Sequence, residues 1–299
     1  MLTIGSRGSQ LALWQANWVK DQLAQHGTEC QIEIIHTTGD KITDVPLSQV
    51  GSKGLFTKEI EEALLDKRID LAVHSLKDMP TELPEGLILA GIPVREDPRD
   101  ALIGYKLRDL PRYAKVGTSS LRRTAQLRAL RSDLEIESIR GNVDTRLRKH
   151  AEKQYDAIVL AAAGLRRLGL ADRITEYLDP EQMCPAVGQG ALAIETRNDK
   201  GPGFTAARSL TDNRTAICVA AERALLEALG GGCQVPLGAH ARKDNLLHIQ
   251  AVVVSPDGTK IVKQKTTGDP RQPEKLGARL AQMLLDHGAK EILSQVYGK

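Results

Sequence analysis

The chain has 299 residues, too many for one ordinary core and suited to two or three domains of about 100 residues each. Hydrophobic residues make up 41% and charged residues 26%, a soluble globular balance that argues against disorder, and aromatics at 3% argue against a stacking platform for single-stranded nucleic acid. The net charge of +3 is small but conceals a concentration of basic residues in the middle of the chain.

The first two-thirds alternates short β-rich runs with amphipathic stretches. The strands expected are 2–5, 32–37, 71–75, 88–92, 115–117, 136–139 and 157–162, and the helices are 10–26, 58–67, 120–131, 143–149 and 164–168. This alternation predicts an α/β fold with largely parallel sheets. The apolar run beginning at Ala157 suits a strand covered on both faces. The charged, proline-broken segment 95–100 reads as a crossing between domains, and a second crossing is expected near 184–190. Two α/β lobes joined in this way would enclose a ligand-binding cleft. The last third differs: a helix over 214–229 ending at Gly230-Gly231-Gly232, a hairpin of 246–255 with 259–266 around Pro256-Asp257-Gly258, and a helix over 272–287 stopped by Gly288. That predicts a small α+β domain.

The longest apolar run, 157–165, is far short of the ~20 residues of a membrane span. The first ten residues lack a basic segment followed by an apolar one, so a cytosolic protein is expected. Cys30, Cys184, Cys218 and Cys233 form no C-x-x-C pair. Neither a metal site nor disulfides are therefore expected.

Three motifs share one layout of strand, short polar turn and helix start beside arginine: Ser6-Arg7-Gly8-Ser9, Gly117-Thr118-Ser119-Ser120 with Arg122 and Arg123, and Arg140-Gly141-Asn142 with Arg146. Unpaired N–H groups at a helix start suit an anion, and arginine adds bidentate recognition of carboxylate or phosphate. Each motif alone also reads as an ordinary N-cap with a solvated basic face. Nine arginines lie from Arg122 to Arg167, a cluster that repels itself unless anions occupy it. The glycine-rich stretch around Lys53 has the wrong spacing for a P-loop, so a polycarboxylate fits better than ATP.

Two further residues stand out. Asp78 follows the strand 71–75, and carboxyl ends of strands in α/β sheets point toward ligands. A carboxylate there can pair with arginine, steady a developing cation and shuttle a proton, or be a plain surface turn. Cys233 follows three glycines and precedes a proline three residues on, which is loop rather than core architecture. Its thiol is either a reachable nucleophile or a structural loop cysteine. A thiol hydrolase pairing Cys233 with His240 is one competing reading, and a non-catalytic polycarboxylate-binding protein of the same two-lobed fold is another.

Eight ordered segments then become recognisable: 7–15, 51–59, 72–80, 95–100, 117–123, 140–146, 185–190 and 231–236. Through them the chain resembles the porphobilinogen deaminase (hydroxymethylbilane synthase) family over nearly its full length. The resemblance implies two lobes like a type II periplasmic binding protein plus a smaller α+β C-terminal domain. The expected divisions are 1–95 with 190–212, 96–189, and 213–299. It implies a transferase of porphyrin and heme biosynthesis that joins four porphobilinogen units head to tail with loss of ammonia. Water then releases the linear tetrapyrrole hydroxymethylbilane. The implied cofactor is dipyrromethane, held by a thioether to Cys233, and the implied catalytic acid is Asp78.

Cofactor contacts carried over by motif are Lys77, Thr118, Ser120, Arg122, Arg123 and Arg146. Substrate contacts are Arg7, Ser9, Lys53, Phe56, Arg140, Arg167 and Gln189, with Phe56 in a loop expected to cover the cleft. Some relatives carry lysine where this chain has Gln49, so no cationic role is expected there. A cytoplasmic monomer without nucleic-acid or membrane partners completes the expectation.

Overall fold

The computed structural model describes residues 1–41, 55–231 and 235–297. These form two units, Met1–Glu96 with Gly190–Ala216, and Asp97–Gln189 with Ile217–Lys299. The chain passes between them at Glu96–Asp97, at Gln189–Gly190 and again at Ala216–Ile217. The second unit thus contains both an α/β lobe and the small C-terminal sheet.

The first unit holds β1 (Leu2–Ser6), α1 (Gln10–Gln25), β2 (Cys30–Ile34), the short α2 (Thr38–Lys41), α3 (Lys58–Leu65), β3 (Leu71–Ser75) and β4 (Leu87–Gly91). The second begins with β5 (Asp100–Ile103), β6 (Lys115–Gly117), α4 (Leu121–Leu130), β7 (Glu135–Glu137), α5 (Val143–Ala151), β8 (Ala157–Ala161), α6 (Ala162–Arg167) and β9 (Glu176–Leu178). The chain then returns to the first unit through β10 (Leu192–Arg197) and α7 (Pro202–Ser209). From α8 (Asn213–Ala228) it builds a three-stranded sheet of β11 (Leu237–Lys243), β12 (Leu247–Val254) and β13 (Ile261–Gly268). α9 (Pro273–Leu284) and α10 (Lys290–Tyr297) complete it.

The two large sheets share one plan. The first is ordered β2-β1-β3-β10-β4 and the second β7-β6-β8-β5-β9. In each, three parallel strands are followed by one antiparallel strand that has just crossed from the other unit, and then by an edge strand. The smaller C-terminal sheet is fully antiparallel.

Burial follows from the two-residue period of a strand. In β8, Ala157 and Val159 enter one core while Ile158 and Leu160 enter another, which is why apolar residues run together there. β3 does the same, sending Leu71 and Val73 toward α1 and Ala72 toward α3. α1 starts at Ser9, whose hydroxyl accepts from the Ala12 amide at 3.3 Å, and buries Ala16, Val19 and Leu23 against the sheet.

The C-terminal sheet packs one face against α8 and α9, where Leu225, Ile249, Ala251 and Leu280 are buried together. Val252 and Val254, on the other face, meet Ala125 of α4 and Cys184. The Arg128 guanidinium on α4 also donates to the Pro256 carbonyl at 2.9 Å.

Several elements differ from the sequence expectation. β5, β9, β10, β11, α2, α7 and α10 have no counterpart in it. The expected helix over 272–287 ends at Leu284, passes through a wide turn at Leu285–Ala289 with Gly288 at φ 98°, and resumes as α10.

Candidate active site

The carboxyl ends of β1 and β3 lie at one edge of the first sheet, because the strands are parallel. Arg7 and Ser9 follow β1. Lys77 and Asp78 follow β3 in a tight 3-10 turn, Leu76–Asp78. The turn is held by two backbone bonds: the Leu76 amide donates to the Ala191 carbonyl at 3.0 Å, and the Met79 amide donates to the Leu76 carbonyl at 3.1 Å. β3 itself is braced by Gln15 of α1, which donates to the Ser75 hydroxyl at 2.9 Å. Leu76 and Met79 are buried, so the turn is anchored on both sides of an exposed Asp78. Among the described residues of this unit, Lys58 pairs with Glu62, Arg68 with Glu33, and Arg197 with Asp70 and Asp199. Arg7 stacks over the Phe56 ring at 4.3 Å, a cation–π contact.

The matching edge of the second sheet is built differently. Thr118 is buried, and its hydroxyl accepts from the Ser120 amide at 3.2 Å. Ser120 caps α4, accepting from the Arg123 amide at 3.4 Å. Arg122 and Arg123 are buried and converge on Asp100, the first residue of β5. Arg122 reaches Asp100 at 2.7 Å and 3.2 Å, and the Cys184 carbonyl at 2.7 Å. Arg123 reaches Asp100 at 2.8 Å and 2.9 Å, and the Val159 carbonyl at 3.0 Å. Gln189 donates to Asp100 at 2.9 Å and to the Pro98 carbonyl at 2.7 Å. Burial alone would push the Asp100 carboxyl up, yet the two guanidiniums outweigh it and hold the group well below the ordinary carboxylate range. Two guanidiniums and one carboxylate leave this trio with one net positive charge.

Arg146 donates to the Gly141 carbonyl at 2.8 Å, at the start of α5, and the Arg140 carbonyl accepts from Lys149 at 3.3 Å. Arg167 is buried at the end of α6. Other members of the nine-arginine run are already paired: Arg131 with Asp133 at 2.7 Å and Arg148 with Glu152 at 3.7 Å. The raw count therefore overstates the positive charge offered to a ligand.

Cys233, Lys53 and Gln49 lie outside the described residues. The residues bracketing Cys233 are placed. α8 closes with Gly230 at φ 87° and with the Gly231 amide donating to the Leu226 carbonyl at 2.8 Å, a glycine-ended helix cap. Val235 is buried in one cluster with Val187 and Leu229. Two residues beyond Val187, Gln189 binds Asp100. The residues bracketing Cys233 and the arginine-bearing edge thus belong to one unit. His240, on β11, pairs across the sheet with Gln250.

Sequence reasoning misses the buried acids, Asp100 and Glu222 among them. It places Asp100 in a charged linker, whereas the structure makes it the start of a strand. Glu222 of α8 is buried and accepts from the Gly188 and Ala241 amides, each at 2.7 Å. The three apolar residues after Asp100 are the available sign of a strand; Glu222 carries no comparable sign.

A family profile described as "Porphobilinogen deaminase, dipyromethane cofactor binding domain" matches residues 2–202, and one described as "Porphobilinogen deaminase, C-terminal domain" matches 216–286. The chain belongs to the porphobilinogen deaminase family. A porphobilinogen deaminase of Geobacter metallireducens is 54% identical, covering 99% of this chain and 95% of its own. That of Syntrophobacter fumaroxidans is 50% identical, covering 99% and 98%. Among solved structures, the methionine binding protein MetQ aligns at 13% identity with a TM-score of 0.46, covering 70% of this chain and 89% of that one. The family's primer is dipyrromethane, two pyrroles bearing acetate and propionate groups. The net positive trio at Asp100 and the capped start of α4 fit such an acid-rich group. No helix among the described residues is long and apolar enough to cross a membrane, and they hold no cluster of metal-ligating side chains.

Proposed function

We propose that Asp78 is the catalytic carboxylate and that Cys233 carries the dipyrromethane primer. The chain is a transferase that joins porphobilinogen units head to tail, with loss of ammonia, and releases hydroxymethylbilane by hydrolysis. The observation that carries the assignment is the placement of Asp78. It is an exposed carboxylate on a turn anchored by buried Leu76 and Met79, at the carboxyl edge of a type II lobe.

Dipyrromethane, when bound, supplies the pyrrole carbon to which the first unit is joined. Thr118, Ser120, Arg122, Arg123 and Arg146 would hold its acid groups, and Lys77 would add a cation beside the turn. Arg7, Ser9, Lys53, Phe56, Arg140, Arg167 and Gln189 would serve the incoming substrate. At Asp78 the substrate's carbon–nitrogen bond breaks with its electron pair leaving on ammonia. The carboxylate steadies the cationic carbon left behind. It then accepts the ring proton displaced as the new carbon–carbon bond forms. We further propose that the enzyme acts in the cytosol as a monomer.

Intact-mass measurement tests the attachment. The purified enzyme is expected to carry the added mass of two linked pyrroles, absent in Cys233→Ser. Active enzyme at its unmodified mass would remove Cys233 from this role.

A further inference from the structure

The turn between β12 and β13 is stiffened by its own side chains. The Ser255 amide donates to the Lys260 carbonyl at 2.9 Å, and the Ser255 hydroxyl accepts from the Lys260 amide at 2.9 Å. Inside the turn, the Asp257 carboxylate accepts from the Ser255 hydroxyl, and from the Thr259 amide and hydroxyl at 3.1 Å and 2.9 Å. Gly258 completes it at φ 81°, with its amide donating to the Ser255 carbonyl at 2.8 Å. Short polar side chains bonded to the nearby backbone fix a turn in this way.

This turn bears directly on α4. Arg128 donates to its Pro256 carbonyl at 2.9 Å. A Cβ on Gly258 would stand 2.7 Å from the Ala129 nitrogen, 2.7 Å from Arg128 Cβ and 2.8 Å from the Arg128 carbonyl carbon. All three are far inside the optimum of about 3.5–4.0 Å between non-bonded carbons. Two of the three atoms are helix backbone, which cannot swing aside as the tip of a side chain can. Beside this contact, Ala125 and Ala129 pack on Val252 and Val254. β11 makes a second close approach. A Cβ on Gly238 would stand 2.6 Å from the Cys184 carbonyl oxygen. That same oxygen accepts from Arg122 at 2.7 Å and from Gln126 at 3.0 Å, and Gln126 accepts from the Cys184 amide at 2.7 Å. The sheet therefore touches α4 at its last turn through Gly258, and touches the carbonyl that orients Arg122 through Gly238. At 1.5 Å per residue, about 9 Å of helix separates Ala129 from Arg123. Close-packed interiors transmit a displacement over that length.

We propose that the C-terminal sheet, through the bare backbone of Gly238 and Gly258, sets the position of α4 and so places Arg122 and Arg123 for the acid groups of the primer. Gly238 and Gly258 are positioning residues and touch no reacting atom. The arrangement refers two parts of the holding machinery to one sheet. Gly238 follows Cys233 by five residues in the sequence, and Gly258 seats the helix that begins with the guanidiniums. The inference rests on the reading that Arg122 and Arg123 hold the primer.

The test compares Gly258→Ala with Gly288→Ala in the full-length enzyme as purified. Both glycines have positive φ, 81° and 98°, so both variants carry the same kind of backbone strain. A Cβ on Gly288 meets nothing within 4 Å, so only Gly258→Ala also pushes on α4. Amide hydrogen exchange across 121–130 should quicken by ~10-fold in Gly258→Ala and stay within about 2-fold of wild type in Gly288→Ala. Intact mass should show primer occupancy lowered by about 2-fold or more in Gly258→Ala and full occupancy in Gly288→Ala. If Gly258→Ala does not fold, Arg128→Met keeps the stem but loses the bond to Pro256, and should quicken the same amides by about 3-fold. Equal α4 exchange in the two glycine variants, or unchanged exchange in Arg128→Met, overturns the seat. Faster α4 exchange with full primer loading overturns its role in placing the arginines. Arg123→Gln reports primer holding by itself: full loading there would end the reading on which the inference rests, while the exchange comparison would still judge the seat.

Discussion

The two large sheets follow one strand order, yet their antiparallel crossing strands hold acids of opposite company. Asp100 on β5 is buried between Arg122 and Arg123, whereas Glu195 on β10 is buried against His74. The consequence appears at the carboxyl edges. The second unit offers buried, fixed guanidiniums, suited to holding an acid-rich chain. The first offers an exposed carboxylate on an anchored turn, suited to acting on a passing carbon. On the proposed assignment, the second edge holds the primer and the first carries the reacting carboxylate.

The sharpest way to break this division is Asp78→Ala. Loss of a positioned acid–base group typically costs ~10²- to 10⁴-fold, so kcat should fall by that order while the primer adduct remains. Asp78 is exposed, so the melting temperature should barely move. Near-normal turnover with the adduct present would end the assignment of the reacting edge to the first unit.

Next in size is Asp100→Ala. It leaves two buried guanidiniums without their shared carboxylate, at a cost of about 3–5 kcal/mol in denaturant unfolding. Asp100→Asn, which keeps the shape, serves if the alanine variant does not fold. The pH dependence has a definite sign. The folded-state carboxyl is held below its unfolded value of about 3.9, so its stabilisation is present above that pH and lost as pH falls through the folded value. Wild type should therefore lose stability more steeply than Asp100→Asn below about pH 4. Equal slopes would show that Asp100 does not neutralise these arginines.

This pair of acids also explains what the sequence hid. The strands at 71–75 and 157–162 were legible because apolar residues run through them, and α1 was legible from its cap and stripe. β5 and β10 were not, because Asp100 and Glu195 read as surface charge when taken alone. Their burial depends on partners more than 20 and 120 residues away, Arg122 and His74. β9 has only three residues, too short to show a period. Arg122 and Arg123 were legible as an anion motif, but their internal carboxylate partner was not. Arg131 and Arg148 count toward the nine-arginine cluster but are engaged with Asp133 and Glu152.

The smallest expected effect sharpens the comparison most finely, because both edges carry a serine N-cap. Ser9 accepts from Ala12 at 3.3 Å and Ser120 accepts from Arg123 at 3.4 Å. Both bonds are longer than the usual range of about 2.7–3.2 Å, so each alanine substitution should cost about 0.5–1 kcal/mol, the low end for a cap. If capping is all that either does, Ser9→Ala and Ser120→Ala lose stability alike and keep full primer occupancy. If Ser120 also holds an acid group of the primer, intact mass should show incomplete loading in Ser120→Ala and full loading in Ser9→Ala. Equal loading in the two variants would confine Ser120 to its helix and shift the anion-holding role onto the arginines behind it.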